Sequence, residues 1–121
     1  MLVIIITMRE IYKTYEFEAF LSGLDARTRT KFDHAIEIVM TIKVIPAKFV
    51  KKLTGSDFYE MRVLVSFNEY RTIVFSIDAR NIIEATRIVL INGFLKKSEK
   101  DYKKQIQKAS NILSNYDYEY K

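Results

Sequence analysis

Cysteine is absent from this sequence, histidine and proline occur once each, and glycine occurs three times in 121 residues. Without cysteine there is no disulfide, no thiolate zinc site and no thiol nucleophile, a usage that suits a reducing cytoplasm. The single histidine, His34, has no second histidine or cysteine to share a metal with, so it reads as a surface or packing residue on a helix. No Gly-rich phosphate loop, nucleophile elbow or metal-ligand cluster is present, and no cofactor is expected. The apolar run Leu2-Val3-Ile4-Ile5-Ile6 is too short to span a bilayer and lacks a basic flank. It reads as an edge strand or as an extension ahead of Met8, and no membrane partner is expected.

What the chain has is apolar residues and positive charge. Hydrophobic residues make up 49%, the formal net charge is +5 and the pI is about 9.4. Such a composition buries a core, and the length suits one domain over residues 1–121. The basic balance favours an anionic partner: nucleic acid first, an acidic protein second, a membrane surface third.

Periodicity gives a coarse plan. Residues 2–15 read as one long strand or two short pieces. From Glu16 the spacing of Phe17, Phe20, Leu21 and Leu24 is helical, with Gly23 at the end. Asp25 is a plausible N-cap for a second helix whose stripe is Phe32, Ile36, Val39 and Met40 and which ends near Ile45, before Pro46. Ala47 to Leu53 reads as a short helical turn. Three strand-like segments follow: Phe58 to Val65, Tyr70 to Ile77, and Ile82 to Ile91. The last two are joined by a hairpin loop at Asp78-Ala79-Arg80-Asn81, and the third stops at Asn92-Gly93. Lys100 to Tyr116 is a final helix with Tyr102, Ile106, Ala109, Leu113 and Tyr116 on one stripe; residues 117–121 read as a frayed tail. The predicted fold is α+β: a twisted, mainly antiparallel sheet, two N-terminal helices on one face, and a C-terminal helix.

Alternation sorts the strand faces. Tyr59, Met61, Val63 and Val65 share one side, Glu60, Arg62 and Leu64 the other. Arg71 is in phase with Ile73, Phe75 and Ile77, so it lies at the mouth of an apolar face or on a concave surface beside it, where a bare arginine is costly without a purpose. Arg62, Arg71, Arg87, Lys96 and Lys97 punctuate a meander with few acids, which suggests a surface for phosphates. Arginine, lysine and tyrosine suffice for one metal-free reaction. If RNA supplies its own 2′-hydroxyl, a protein need only hold the backbone in line, neutralise the phosphate and move two protons. Each residue also has a plain reading: Arg62 as an ion pair with Glu60, Lys51, Lys52, Lys96 and Lys97 as solvated charge, Tyr102 as a packing residue on its stripe.

The sequence then resembles a known family. Lys52-Leu53-Thr54-Gly55, Phe58-Tyr59-Glu60-Met61-Arg62, Tyr70-Arg71 and Leu90-Ile91-Asn92-Gly93-Phe94-Leu95-Lys96-Lys97-Ser98, with basic residues on to Lys104, are similar in order and spacing to the RelE/ParE superfamily of type II toxins. The HigB-like, phage-derived branch is nearest. The similarity covers about Met8 to Leu113, and Asn-Gly-Phe-x-Lys-Lys is its sharpest part. It implies a RelE-like fold and a cytoplasmic, ribosome-dependent endoribonuclease that cuts mRNA in the decoding site and is silenced by a cognate antitoxin, a helix-turn-helix type expected.

Carried over residue by residue, the resemblance gives Arg71 as the phosphate-stabilising arginine and Arg62 as a basic position on the preceding strand. Lys96 and Lys97 match the basic cluster after the last strand. Tyr102 stands at the spacing of a catalytic tyrosine. The catalytic set is Arg71, Arg62, Lys97 and Tyr102; Lys51, Lys52, Lys96 and Lys100 are RNA- or ribosome-facing. The chain departs from RelE in having Glu60 where a lysine stands, lysines in place of arginine after the last strand, and none of the histidines of some HigB relatives. Two other readings stay open: a ParE-like gyrase poison without nuclease activity, and a non-catalytic basic binding module.

Overall fold

Two polar side chains start the first two helices. Thr14 Oγ1 accepts the Phe17 amide at 3.0 Å and opens α1 (Tyr15–Ser22); Asp25 Oδ1 accepts the Thr28 amide at 2.8 Å and opens α2 (Ala26–Thr41). Gly23 closes α1 as expected, its amide reaching back to the last turn. The computed structural model describes residues 8–116. The expectations for residues 1–7 and for the 117–121 tail lie outside the described residues. Within them the first strand is short: β1 covers Glu10–Lys13, and the chain is helical from Tyr15.

The remaining elements are β2 (Val50–Lys52), β3 (Phe58–Val65), β4 (Asn68–Ser76), β5 (Arg87–Leu95) and α3 (Glu99–Tyr116). They form a five-stranded sheet in the order β1-β5-β4-β3-β2, antiparallel except for the parallel pair β1–β5. The stretch read as a helical turn from Ala47 instead makes one turn and then enters β2, because Val50 finds Met61 across the sheet edge.

Both faces of the sheet are covered. Tyr59, Met61, Val63 and Val65 of β3 pack with Val74, Ile88 and Leu90 beneath Phe17, Leu21, Phe32, Ile36 and Val39 of α1 and α2. Ile73, Val89, Ile91 and Phe94 pack on the opposite side against Ala109 and Ile112 of α3. The predicted fold class and the two-sided alternation of β3 are borne out. Among the described residues no helix is long and apolar enough to cross a membrane.

The third meander strand departs from expectation. Residues 82–86 belong to the connection: Ile82 and Ala85 are buried there, and the Asp78 carboxylate accepts the Thr86 hydroxyl and the Thr86 and Arg87 amides. The strand then runs through Asn92-Gly93 to Leu95. A bulge allows this. Ile73 pairs with Asn92 but Val74 pairs with Leu90, so Ile91 is the extra residue. Ile91 joins the α3 layer, and Asn92 also turns there, where its amide donates to Gln105. Gly93 then faces the other way, and a β-carbon on it would lie 2.4 Å from the Phe20 ring. Glycine serves here as a seat for an aromatic ring, not as a turn.

α2 ends at Thr41, earlier than expected, because Arg9 receives its end. The guanidinium donates from Nη1 to the Val39 and Ile42 carbonyls, from Nη2 to Lys43 and Ile83, and from Nε to Ile82, at 2.6 to 3.1 Å. All five of its N–H donors are thereby used. A cation is favourable at a helix C-terminus. Burial pushes the Arg9 guanidinium below its ordinary pKa.

Arg9→Ala strands these carbonyls and should lower stability by at least about 3 kcal/mol in urea unfolding; Arg9→Lys, with three donors and no fork, should recover only part. Desolvation pushes the exposed Asp78 carboxyl up, but the Thr86 hydroxyl and the Arg87 and Thr86 amides outweigh it and hold the group below the usual range. A depressed folded value means its contribution is present above about pH 3.9 and fades as pH falls through the folded value. Wild type should therefore exceed Asp78→Asn in stability at neutral pH, with the gap narrowing in acid, as measured by denaturation at stepped pH.

Candidate active site

Arg62 on β3 lies directly opposite Arg71 on β4. Two like charges in that position repel. Glu60, two residues before Arg62 and on the same side of the strand, resolves the conflict. Its Oε1 accepts from Arg62 Nε at 3.0 Å and from Arg71 Nη1, and its Oε2 accepts the Tyr102 hydroxyl. Arg71 Nη2 also donates to Glu69 Oε1 at 2.8 Å. Glu60 is 2% exposed and Arg71 5%. Arg71 Nε is buried without a hydrogen-bond partner.

Tyr102 arrives from the first turns of α3. Its ring meets Phe94 edge-on at 5.9 Å between centroids, and the Arg71 guanidinium carbon lies 6.0 Å from its ring centre. The bulge in β5 makes this possible. By restoring the alternation after Ile91 it places Phe94 opposite Arg71, on the α3 side.

Above the carboxylate hub is an open cleft of about 250 Å³, lined by Lys51, Lys52, Leu53, Thr54, Glu60, Arg62, Arg71, Lys96, Glu99 and Tyr102. Five cations face two carboxylates there. Six residues singled out in the sequence meet in it: Arg62, Arg71, Tyr102, Lys51, Lys52 and Lys96. Lys97 and Lys100 are exposed and lie outside its lining. Lys52 Nζ sits over the Tyr59 ring at 5.1 Å, and the Lys96 amide bonds Glu69 O at 2.8 Å, which seats the post-strand lysine beside the site. His34 is exposed on α2, away from the cleft.

The meander is thus not short of acids where it matters. Glu60 and Glu69 neutralise Arg71, and Glu60 is shared with Arg62, so the ion-pair reading of Arg62 holds. The sequence signal for Glu60 was its phase: it alternates with Arg62, and the strand opposite brings Arg71 to the same side. Of the two cleft arginines Arg62 is the more open to a ligand, its side chain 32% exposed against 6% for Arg71.

An antiparallel meander with helices α1 and α2 on one face and α3 on the other is the RelE fold. A free-state arginine double mutant of the E. coli toxin RelE superposes with a TM-score of 0.60 at 16% identity, over 84% of this chain and 98% of that one. The chain belongs to the phage-derived Gp49-like protein family, which matches residues 19–114. No curated protein matches it. The family resemblance drawn from the sequence is borne out.

Removing Glu60 leaves two buried or half-buried guanidinium groups face to face. Glu60→Leu should cost about 3 kcal/mol or more in chemical denaturation. Adding Arg71→Met to it should restore part of that loss, a coupling that a plain cavity effect would not give.

Proposed function

We propose that the protein is the toxin of a type II toxin–antitoxin pair and a ribosome-dependent endoribonuclease that cuts mRNA by attack of the RNA's own 2′-hydroxyl. The observation that carries this reading is the cleft itself: an arginine pair and a tyrosine converge on one carboxylate, and three lysines line the opening around it, in the fold of RelE. Family membership and fold support the toxin assignment; the cleft supports the nuclease.

In this mechanism Lys51, Lys52 and Lys96 draw the RNA backbone to the cleft mouth and hold it in line. Arg62, the more open of the pair, takes a non-bridging oxygen of the scissile phosphate, and Arg71 behind it adds fixed positive charge as the pentacoordinate phosphate forms. The 2′-oxygen bonds to phosphorus and the P–O5′ bond breaks. The 2′-hydroxyl proton passes to the Tyr102 oxygen as the phenol gives its own proton to Glu60. A lysine ammonium at the cleft mouth protonates the leaving 5′-oxygen. The products are a 2′,3′-cyclic phosphate and a 5′-hydroxyl. The nucleophile is the substrate's own, so no metal-bound water is required. Lys97 and Lys100 extend the basic surface beyond the cleft and serve ribosome contact. The site of action is cytoplasmic, on translating ribosomes, and the protein partner is a cognate antitoxin.

The test is a translation reaction on a defined mRNA with cleavage mapped by primer extension. Wild type should cut only with ribosomes present. Arg71→Ala and Glu60→Gln, confirmed as folded, should each lower the rate by about a hundredfold or more. Absence of cuts at ample wild-type concentration would discard the nuclease reading and return the choice to gyrase poisoning or a binding module.

A further inference from the structure

The β3–β4 hairpin presents apolar groups that the fold does not use. Phe67, at the tip, is 103% exposed, and Leu64 is 66% exposed. The turn is tight, with Ser66 at φ 57°, so Phe67 is held outward. Beside the hairpin is a groove of about 470 Å³ between α2 and β3. Its floor includes Ala35, Val63 and Phe49. Its rim carries Lys31, Lys48 and Arg62, with His34 on the helix side. The one carboxylate of its lining, Glu69, is taken by Arg71. Among the described residues no ion pair holds Lys31 or Lys48.

The outer edge of β3 is also open there. β2 pairs only with Tyr59, Glu60 and Met61, and the Arg62 amide donates to Phe49 O at 2.8 Å. Since Arg62 points its amide outward, Leu64 does too, and among the described residues no strand lies beside it. An open edge asks for a peptide backbone, the apolar floor for alternate apolar side chains, and the rim for carboxylates.

We propose that this groove binds an extended segment of a partner protein in which acidic and apolar residues alternate, added as a short strand to the edge of β3. Arg62 lines both this groove and the basic cleft. A carboxylate of the bound strand competes with Glu60 for Arg62 and withdraws it from the phosphate position. The docking stands independently of the proposed nuclease activity; only the consequence for the cleft rests on it.

The experiment measures binding by fluorescence anisotropy with a short labelled peptide of alternating glutamate and valine, and with its lysine–valine counterpart. The acidic peptide should bind at least about tenfold tighter than the basic one. The pair Leu64→Ser and Phe67→Ser, and separately Lys31→Glu with Lys48→Glu, should each weaken it by about tenfold; all four positions are on the surface, so the fold should tolerate them. Wild-type-like binding by both variants, no binding, or equal binding of the basic peptide would overturn the proposal. Self-association lost in the hairpin variant would assign the patch to a second copy instead. Binding of single-stranded RNA that falls in the hairpin variant would assign it to RNA. No readout uses cleavage, so loss of the nuclease reading leaves the docking result standing.

Discussion

Arg62 and Arg71 face each other across adjacent strands, and the sheet tolerates that pairing because one carboxylate sits between them. Glu60 is held by three donors from three elements: β3 itself, β4 and α3. The same contact that removes a repulsion also holds the Tyr102 hydroxyl and so ties the first turn of α3 to the sheet. A nearly buried carboxylate costs several kcal/mol unless its lone pairs are filled, so the geometry is strongly constrained. The basic cleft exists on top of this hub. Its outer lysines are exposed, while its inner arginines are held by ion pairs within the fold.

The opposite end of the molecule solves the related problem differently. Arg9 is equally buried but meets carbonyls in place of carboxylates. Each bond uses a backbone oxygen that would otherwise lack a partner at a helix end or in a turn. The result is a clamp joining the start of β1, the end of α2 and the connection before β5. One buried arginine is structural because every donor is spent on the backbone. The other keeps Nε unpartnered beside a cleft and belongs to the site.

Local signals were legible where local chemistry decides. Asp25, Gly23 and the alternation of Tyr59, Met61, Val63 and Val65 needed only capping and pleat geometry. The gathering of Arg62, Arg71 and Tyr102 was implied by the family resemblance, while periodicity alone read Tyr102 as a packing residue on its helix stripe. What stayed hidden depends on distant partners. Arg9 has no neighbouring pattern, since its acceptors lie 30 or more residues away. Asn92-Gly93 looks like a turn because nothing nearby tells that Phe20 will sit on the glycine or that a bulge will rotate the strand. β2 hides because three residues beside a proline-led turn carry almost no periodicity.

The parallel pairing of β1 with β5 has a bearing on synthesis. Among the described residues the first strand hydrogen-bonds to the last one, with β4 on the other side of β5. While the chain is emerging, β1 has no partner, and the Thr14 hydroxyl lacks the Ile91 carbonyl it later bonds. The apolar underside of α1 and α2 waits as well, since Ile88 and Leu90 complete that layer. Closure is therefore a late, non-local event, slow by its topology. Because Tyr102 comes still later in the chain, the cleft is assembled only after β5 and the first turn of α3 have both been made, and a nascent fragment ending before them holds its positive charges without the hub that organises them.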